Sequence, residues 1–251
     1  MHTGNSGSAE VRAVDVEGGT VITYSFGGPG ETILLLHGGP GVRSDYLQHT
    51  HAYLADHQFR VVTFDQLGSG KSDRPADPAL WNIDRYVREV ECVRDALGLG
   101  AVHLYGHSWG AMLALEYALA HPAQVRSLVL ANGAADVSFH IQETNRLLRE
   151  FNAEFARRWL NFEMRGQTDD PEFMSMMTLL YSRHVCRLSP WPEEFVFSFS
   201  DMNPAPFRTM FFSEFLPGGR HRGWSRLADL HRITVPTLVL TGAHDLLTPS
   251  E

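Results

Sequence analysis

The chain has 251 residues, 43% hydrophobic and 20% charged, a balance near the globular average that excludes disorder, collagen and low-complexity repeats. That length suits one large domain, or one domain carrying an insertion. With 21 Lys and Arg against 29 Asp and Glu, the net charge of −8 repels phosphate backbones and argues against a nucleic-acid partner. In chain order, strands are predicted at 11–16 and 21–26, joined at Gly18-Gly19 as a hairpin. Short runs of Val, Leu and Ile follow at 32–36, 60–64, 101–105, 126–131 and 237–241, each stopping at Gly or a polar cluster. Such runs read as strands buried on both faces.

Helical patterns lie between them. Apolar positions 83, 86, 87, 90, 93 and 97 recur every three or four residues and predict a helix packed on the sheet. A second helix is predicted at 109–119, ending before His121-Pro122 because Pro cannot sit in a helix interior. Strands alternating with helices imply an α/β fold with a mostly parallel sheet covered on both faces. The alternation lapses between about 136 and 224, a stretch holding 16 of the 27 aromatic residues. It reads first as a helical subdomain using Phe and Trp as its own core; the alternative is a cap whose aromatics also line an apolar substrate cavity, and both can hold. The expected division is a core at 1–135, a helical cap at 136–224 and a second core part at 225–251.

Cys92 and Cys186 are too few for a disulfide framework and fit no zinc or CxxC spacing. The first eight residues hold no apolar signal core, and no apolar run approaches the ~18 residues of a membrane span. The expectation is a soluble cytoplasmic protein without metal, cofactor or membrane partner. Its oligomeric state is not legible.

Three motifs carry chemistry. Gly106-His107-Ser108-Trp109-Gly110 is a G-x-S-x-G between a predicted strand and a predicted helix, the context of a nucleophile elbow. Ser108 is then the candidate nucleophile, displayed at a helix N-terminus where developing negative charge is favoured. His37-Gly38-Gly39-Pro40-Gly41 follows the strand at 32–36. Alone it is an ordinary Gly-Pro turn. Beside an elbow it can supply one N–H of an oxyanion hole, Trp109 supplying the other. Asp245, in Gly242-Ala243-His244-Asp245 after the last strand, stands where the acid of a Ser…Asp…His triad belongs in chain order.

Together with Asp65-Gln66-Leu67-Gly68-Ser69-Gly70-Lys71-Ser72 and Val235-Pro236-Thr237-Leu238, these motifs resemble the proline iminopeptidases. The resemblance runs from about residue 20 onward. It implies an α/β-hydrolase fold with a helical cap over the active site. The implied activity is a serine aminopeptidase releasing an N-terminal residue, often proline, from short peptides or amides through an acyl-enzyme on Ser108. It also implies Gly39 as the second oxyanion donor, and a floor-shaping, non-catalytic role for the Asp65 segment.

Two departures qualify this. Family members hold the substrate amine with acidic residues. One lies in an Asn-Glu-Phe context resembled here by Ser213-Glu214-Phe215, so Glu214 is the expected amine ligand. Another follows the catalytic Asp, where this chain has Leu246. One carboxylate holds a buried ammonium less firmly than two, which raises amidase, esterase or lactonase readings of the same machinery. Glu193 and Glu194 are alternative acids, better read as a solvated helix start. The second departure is that no histidine follows Asp245. His37 and His107 read as packing or loop-shaping residues and His244 as a neighbour of the acid, so the catalytic histidine is expected beyond residue 251. Asp-nucleophile hydrolases are disfavoured because the elbow holds Ser108. A non-catalytic binding protein on this scaffold is the remaining alternative.

Overall fold

Residues 8–248 are described by the computed structural model; the leader reading of the first residues and the residues after Thr248 lie outside them. Among the described residues one sheet is built from β1 (Glu10–Val16), β2 (Gly19–Phe26), β3 (Thr32–Leu36), β4 (Arg60–Asp65), β5 (Val102–His107), β6 (Val125–Ala131) and β7 (Thr237–Leu240). Their order is β1-β2-β4-β3-β5-β6-β7. The β1–β2 and β2–β4 pairs are antiparallel and all later pairs parallel. The first hairpin turns one residue earlier than the sequence suggested. Val16 pairs with Gly19, leaving Glu17-Gly18 as the turn, with Gly18 at φ +97°.

Strands β3 and β4 are buried along almost their whole length because both faces are covered, whereas β7, expected to be buried on both faces, is exposed throughout because it lies at the edge of the sheet. On β3, Leu34 and Leu36 enter the main core, whereas Leu35 packs on the opposite face with Leu47 and Val61. Helices α2 (Ile83–Ala96) and α3 (Trp109–Ala120) cover the first face. The second is covered by α1 (Asp45–His51) and the 3₁₀ turn Ala52–His57, neither of which the hydrophobic pattern announced. Asn82 caps α2 by accepting from the Arg85 N–H at 2.9 Å.

Between β6 and β7 the chain forms α4 (Val137–Phe151), α5 (Ala153–Met164), α6 (Pro171–His184), α7 (Glu193–Ser200) and α8 (Pro204–Met210). Asp136, Asn152 and Asp170 cap the first three through their side chains. An antiparallel bridge between Asp136 and Ser225 joins the two ends of this segment. Its aromatic residues form a separate cluster, in which the Trp159 ring lies 4.7 Å from Phe173 and 5.0 Å from Phe215. Glu116 on α3 anchors the return of the chain by accepting from Trp224 Nε1 and from Arg226 Nε, the latter at 2.8 Å.

Candidate active site

The C-terminal ends of β3, β5, β6 and β7 converge on one edge of the sheet, where α/β folds place their ligands. β5 ends at His107, α3 starts at Trp109, and Ser108 between them adopts φ +54°, ψ −121°. A non-glycine residue in this region costs on the order of 1–3 kcal/mol and persists only when its surroundings hold it there. Here the Ser108 N–H donates to Ala131 O at 2.9 Å and its carbonyl accepts from the Ala111 N–H at 2.9 Å. The flanking glycines are steric necessities. A Cβ on Gly106 would stand 2.1 Å from Gly110 O, and one on Gly110 would stand 2.1 Å from Leu36 O. The elbow therefore packs directly against the strand that precedes the Gly-rich loop.

That loop is held at successive peptides. The Gly38 N–H donates to Tyr46 Oη at 2.7 Å, and Tyr46 Oη lies 2.8 Å from His107 Nδ1. The Val42 N–H donates to Gly39 O at 2.8 Å. Gln66 spans both halves of the site: its Nε2 donates to His37 O at 3.1 Å, and its Oε1 accepts from Trp109 Nε1 at 2.8 Å. Asp65 is fully buried and accepts from Tyr24 Oη, Ser44 N, Ser44 Oγ and Lys71 N, fastening the neighbouring loops together. Among the described residues, the N–H groups of Gly39 and Trp109 make no hydrogen bond to the protein.

Asp245 lies after β7. Its Oδ2 accepts from Asn132 Nδ2 at 2.6 Å and its Oδ1 from the Leu247 N–H at 2.9 Å. Asn132 directly follows Ala131, the acceptor of the Ser108 N–H, so β6 links the serine and the carboxylate through adjacent residues. The histidines in the motifs have other employment. His37 bonds through both ring nitrogens and burial lowers its pKa. Burial also pushes His107 down to about 4. His244 is exposed, and its carbonyl accepts from His184 Nδ1 at 2.8 Å.

A cavity opens above Ser108, with Gly39 and Trp109 in its wall. Val137 and Ile141 on α4, with Phe207 and Phe211 around α8, make its lining largely apolar; Glu214 and His140 are its titratable groups. The aromatic stretch thus packs its own core and also contributes cavity walls.

Beside Glu214, Ser213 Oγ donates to Glu163 on α5. Burial, with the Glu214 charge adding to it, pushes the Glu163 carboxyl up to about 7. Leu246, at the position where the sequence resemblance called for an acid, is buried in the aromatic cluster of α5 and α6. Leu247 reaches the cavity instead.

Four residues that shape the site escaped the sequence reading: Tyr46, Gln66, Asn132 and Glu163. Gln66 lies inside a recognised motif whose floor-shaping role does not single it out. The Asn132-Gly133 dipeptide after a strand signals a positive φ, which Asn132 has at +52°. Tyr46 and Glu163 leave no sequence signal, since their partners are distant in the chain.

The alpha/beta hydrolase fold family matches residues 31–251. A curated proline iminopeptidase from Flavobacterium johnsoniae is 33% identical over 222 residues, covering 86% of this chain and 75% of that protein. The chain belongs to the proline iminopeptidase family of α/β hydrolases. Another relative, from Heyndrickxia coagulans, is 34% identical over 94% of this chain and 83% of its own length. Among solved structures, VinJ superposes with a TM-score of 0.91 at 33% identity, over 97% of this chain and 85% of that one. The proline iminopeptidase of Mycobacterium smegmatis superposes with a TM-score of 0.85 at 29% identity, covering 96% and 84% respectively. As a member of the family the chain is a hydrolase. Among the described residues no helix is long and apolar enough to cross a membrane.

Proposed function

We propose that this hydrolase is a serine aminopeptidase that releases proline or another small apolar N-terminal residue from short peptides or amides. Ser108 Oγ attacks the carbonyl carbon while its proton passes to a general base. The oxyanion so formed accepts from the Gly39 and Trp109 N–H groups. Collapse breaks the C–N bond, the departing amine takes the proton, and the aminoacyl-enzyme on Ser108 is cleared by water along the same path. Asp245 orients that base; His37 and His107, each bonded elsewhere, do not serve as it. Helices α4–α8 serve as a cap over the reaction, and Glu214 receives the substrate ammonium.

The observation that carries this reading is the pair of N–H groups, Gly39 and Trp109, that have no partner among the described residues and share a cavity wall with Ser108 in its strained elbow. The relatives named as proline iminopeptidases supply the substrate class. A second reading keeps the machinery but takes amino-acid amides, esters or lactones. It is favoured by Leu246, whose burial in the aromatic cluster leaves Glu214 as the carboxylate on the cavity wall. A panel of aminoacyl-anilides, amides and simple acyl esters separates them. The first reading expects prolyl-anilide and short prolyl peptides to give the highest kcat/KM, and a preference for esters lacking an amine would overturn it.

A further inference from the structure

We propose that His37 is a positioning residue that holds the Gly38–Gly39 peptide with its N–H turned toward the Ser108 cavity. This rests on the reading of Gly39 as an oxyanion donor and adds what keeps that donor aimed.

The tautomer of His37 follows from its surroundings. The Gln66 N–H points at His37 Nε2 at 3.0 Å, so Nε2 must be the acceptor. In a neutral imidazole the proton then sits on Nδ1. Nδ1 lies 2.9 Å from Gly38 O and donates to it. Burial lowers the His37 pKa, although the bond to Gly38 O and the charges of Asp65 and Asp45 oppose that, and this keeps the ring neutral and Nε2 able to accept.

Gly38 O and the Gly39 N–H belong to one trans peptide plane and point in opposite directions. A carbonyl drawn to His37 therefore sends the Gly39 N–H the other way, into the cavity wall it shares with Ser108. The plane needs such a clamp because it joins two glycines, and Gly39 sits at φ +38° with no side chain to resist rotation. The adjoining planes have separate fasteners: Tyr46 Oη and Gln66 Nε2 hold the 37–38 peptide, and the Val42 N–H holds Gly39 O. Among the described residues, the His37 ring alone bonds the plane between them. Were that plane to turn over, a carbonyl would face the developing oxyanion and repel it.

Two substitutions of this fully buried ring separate aiming from filling space. Asn places an amide nitrogen at the Nδ1 position and preserves donation to Gly38 O. Gln is nearer histidine in volume but reaches the Nε2 position and loses that donor. His37→Gln is expected to lower kcat by ~10²–10³ with KM changed less than about threefold, the cost of one oxyanion donor. His37→Asn is expected to recover to within about tenfold of wild type. A merely space-filling role predicts the reverse order, and Gln equalling or exceeding Asn overturns the proposal.

NMR of glycine-labelled protein, with a boronic acid added covalently to Ser108, distinguishes the two layers of inference. Wild type should show the Gly39 amide proton moving downfield on adduct formation, and His37→Gln should not. If wild type shows no shift, the oxyanion reading of Gly39 fails by itself. If both proteins shift equally, Gly39 is a donor but His37 does not aim it. Should neither variant fold, the wild-type ring decides: its nitrogen shifts must report a proton on Nδ1, and a proton on Nε2 overturns the proposal.

Discussion

Asn132 Nδ2 donates to Asp245 Oδ2 at 2.6 Å, across 113 residues of chain, and Asn132 adopts φ +52° to do so. A hydrogen bond to a charged group contributes about 1.5–3 kcal/mol. Glycine accepts the same backbone geometry without the bond, so Asn132→Gly should lower kcat about tenfold with little change in KM. Asn132→Ala should lose the same activity and about 1 kcal/mol of stability besides, because Cβ resists the left-handed region. Thermal melts beside steady-state kinetics separate the two effects. Full activity in the Gly variant would mean that Asp245 is held well enough by the Leu247 N–H.

Ser108→Ala should abolish both turnover and labelling by a serine-directed phosphonate in the active protein. Intact-mass measurement reads the adduct directly. Label persisting in the alanine variant would remove Ser108 from the chemistry.

Gly110→Ala should be among the most damaging single-methyl additions. Its Cβ would press 2.1 Å from Leu36 O, a backbone atom that cannot move aside without shifting β3. The expected loss is on the order of 3 kcal/mol or more, as for severe overpacking. Gly28→Ala is the control, since nothing lies within 4 Å of its added methyl, and its denaturation midpoint should match wild type.

Glu214→Gln tests amine recognition. A lost charge-assisted hydrogen bond predicts a KM increase of about tenfold or more for aminoacyl substrates. Acyl esters without an amine should be nearly unaffected. Equal losses on both substrate types would show that Glu214 is structural.

Glu163 predicts a pH dependence of stability. Its folded pKa of about 7 stands above its unfolded value of 4.5, so the native state holds this proton more tightly. The stabilisation is fully present below about pH 4.5 and is lost as pH rises through 7, by at most ~3 kcal/mol. Glu163→Gln should flatten the melting-temperature profile between pH 5 and 8. An unchanged profile would place its titration elsewhere.

The elements legible in the sequence are those whose physics is local. The G-x-S-x-G turn could be read because a strand, a sharp turn and a helix are contiguous, and Gly106 is required by Gly110 four residues on, although Gly110 is required by Leu36 on a distant strand. That the Gly-rich loop and Asp245 each follow a strand was legible too, because the apolar runs of β3 and β7 end just before them. Helix α1 was not, because seven residues with Leu47 as their buried apolar anchor carry too little periodicity to register. Residues that act through distant partners were equally silent. Asn132 acquires meaning only when β7 is laid beside β6, and Gln66 only when its amide is seen joining His37 to Trp109. Leu246 shows the difference most plainly. Along the chain it reads as a missing carboxylate, yet in the fold its side chain enters the aromatic cluster of α5 and α6 while Leu247 faces the cavity. Sequence order determines which residues stand beside Asp245, but which of them reaches substrate is decided by the packing of the helices above it.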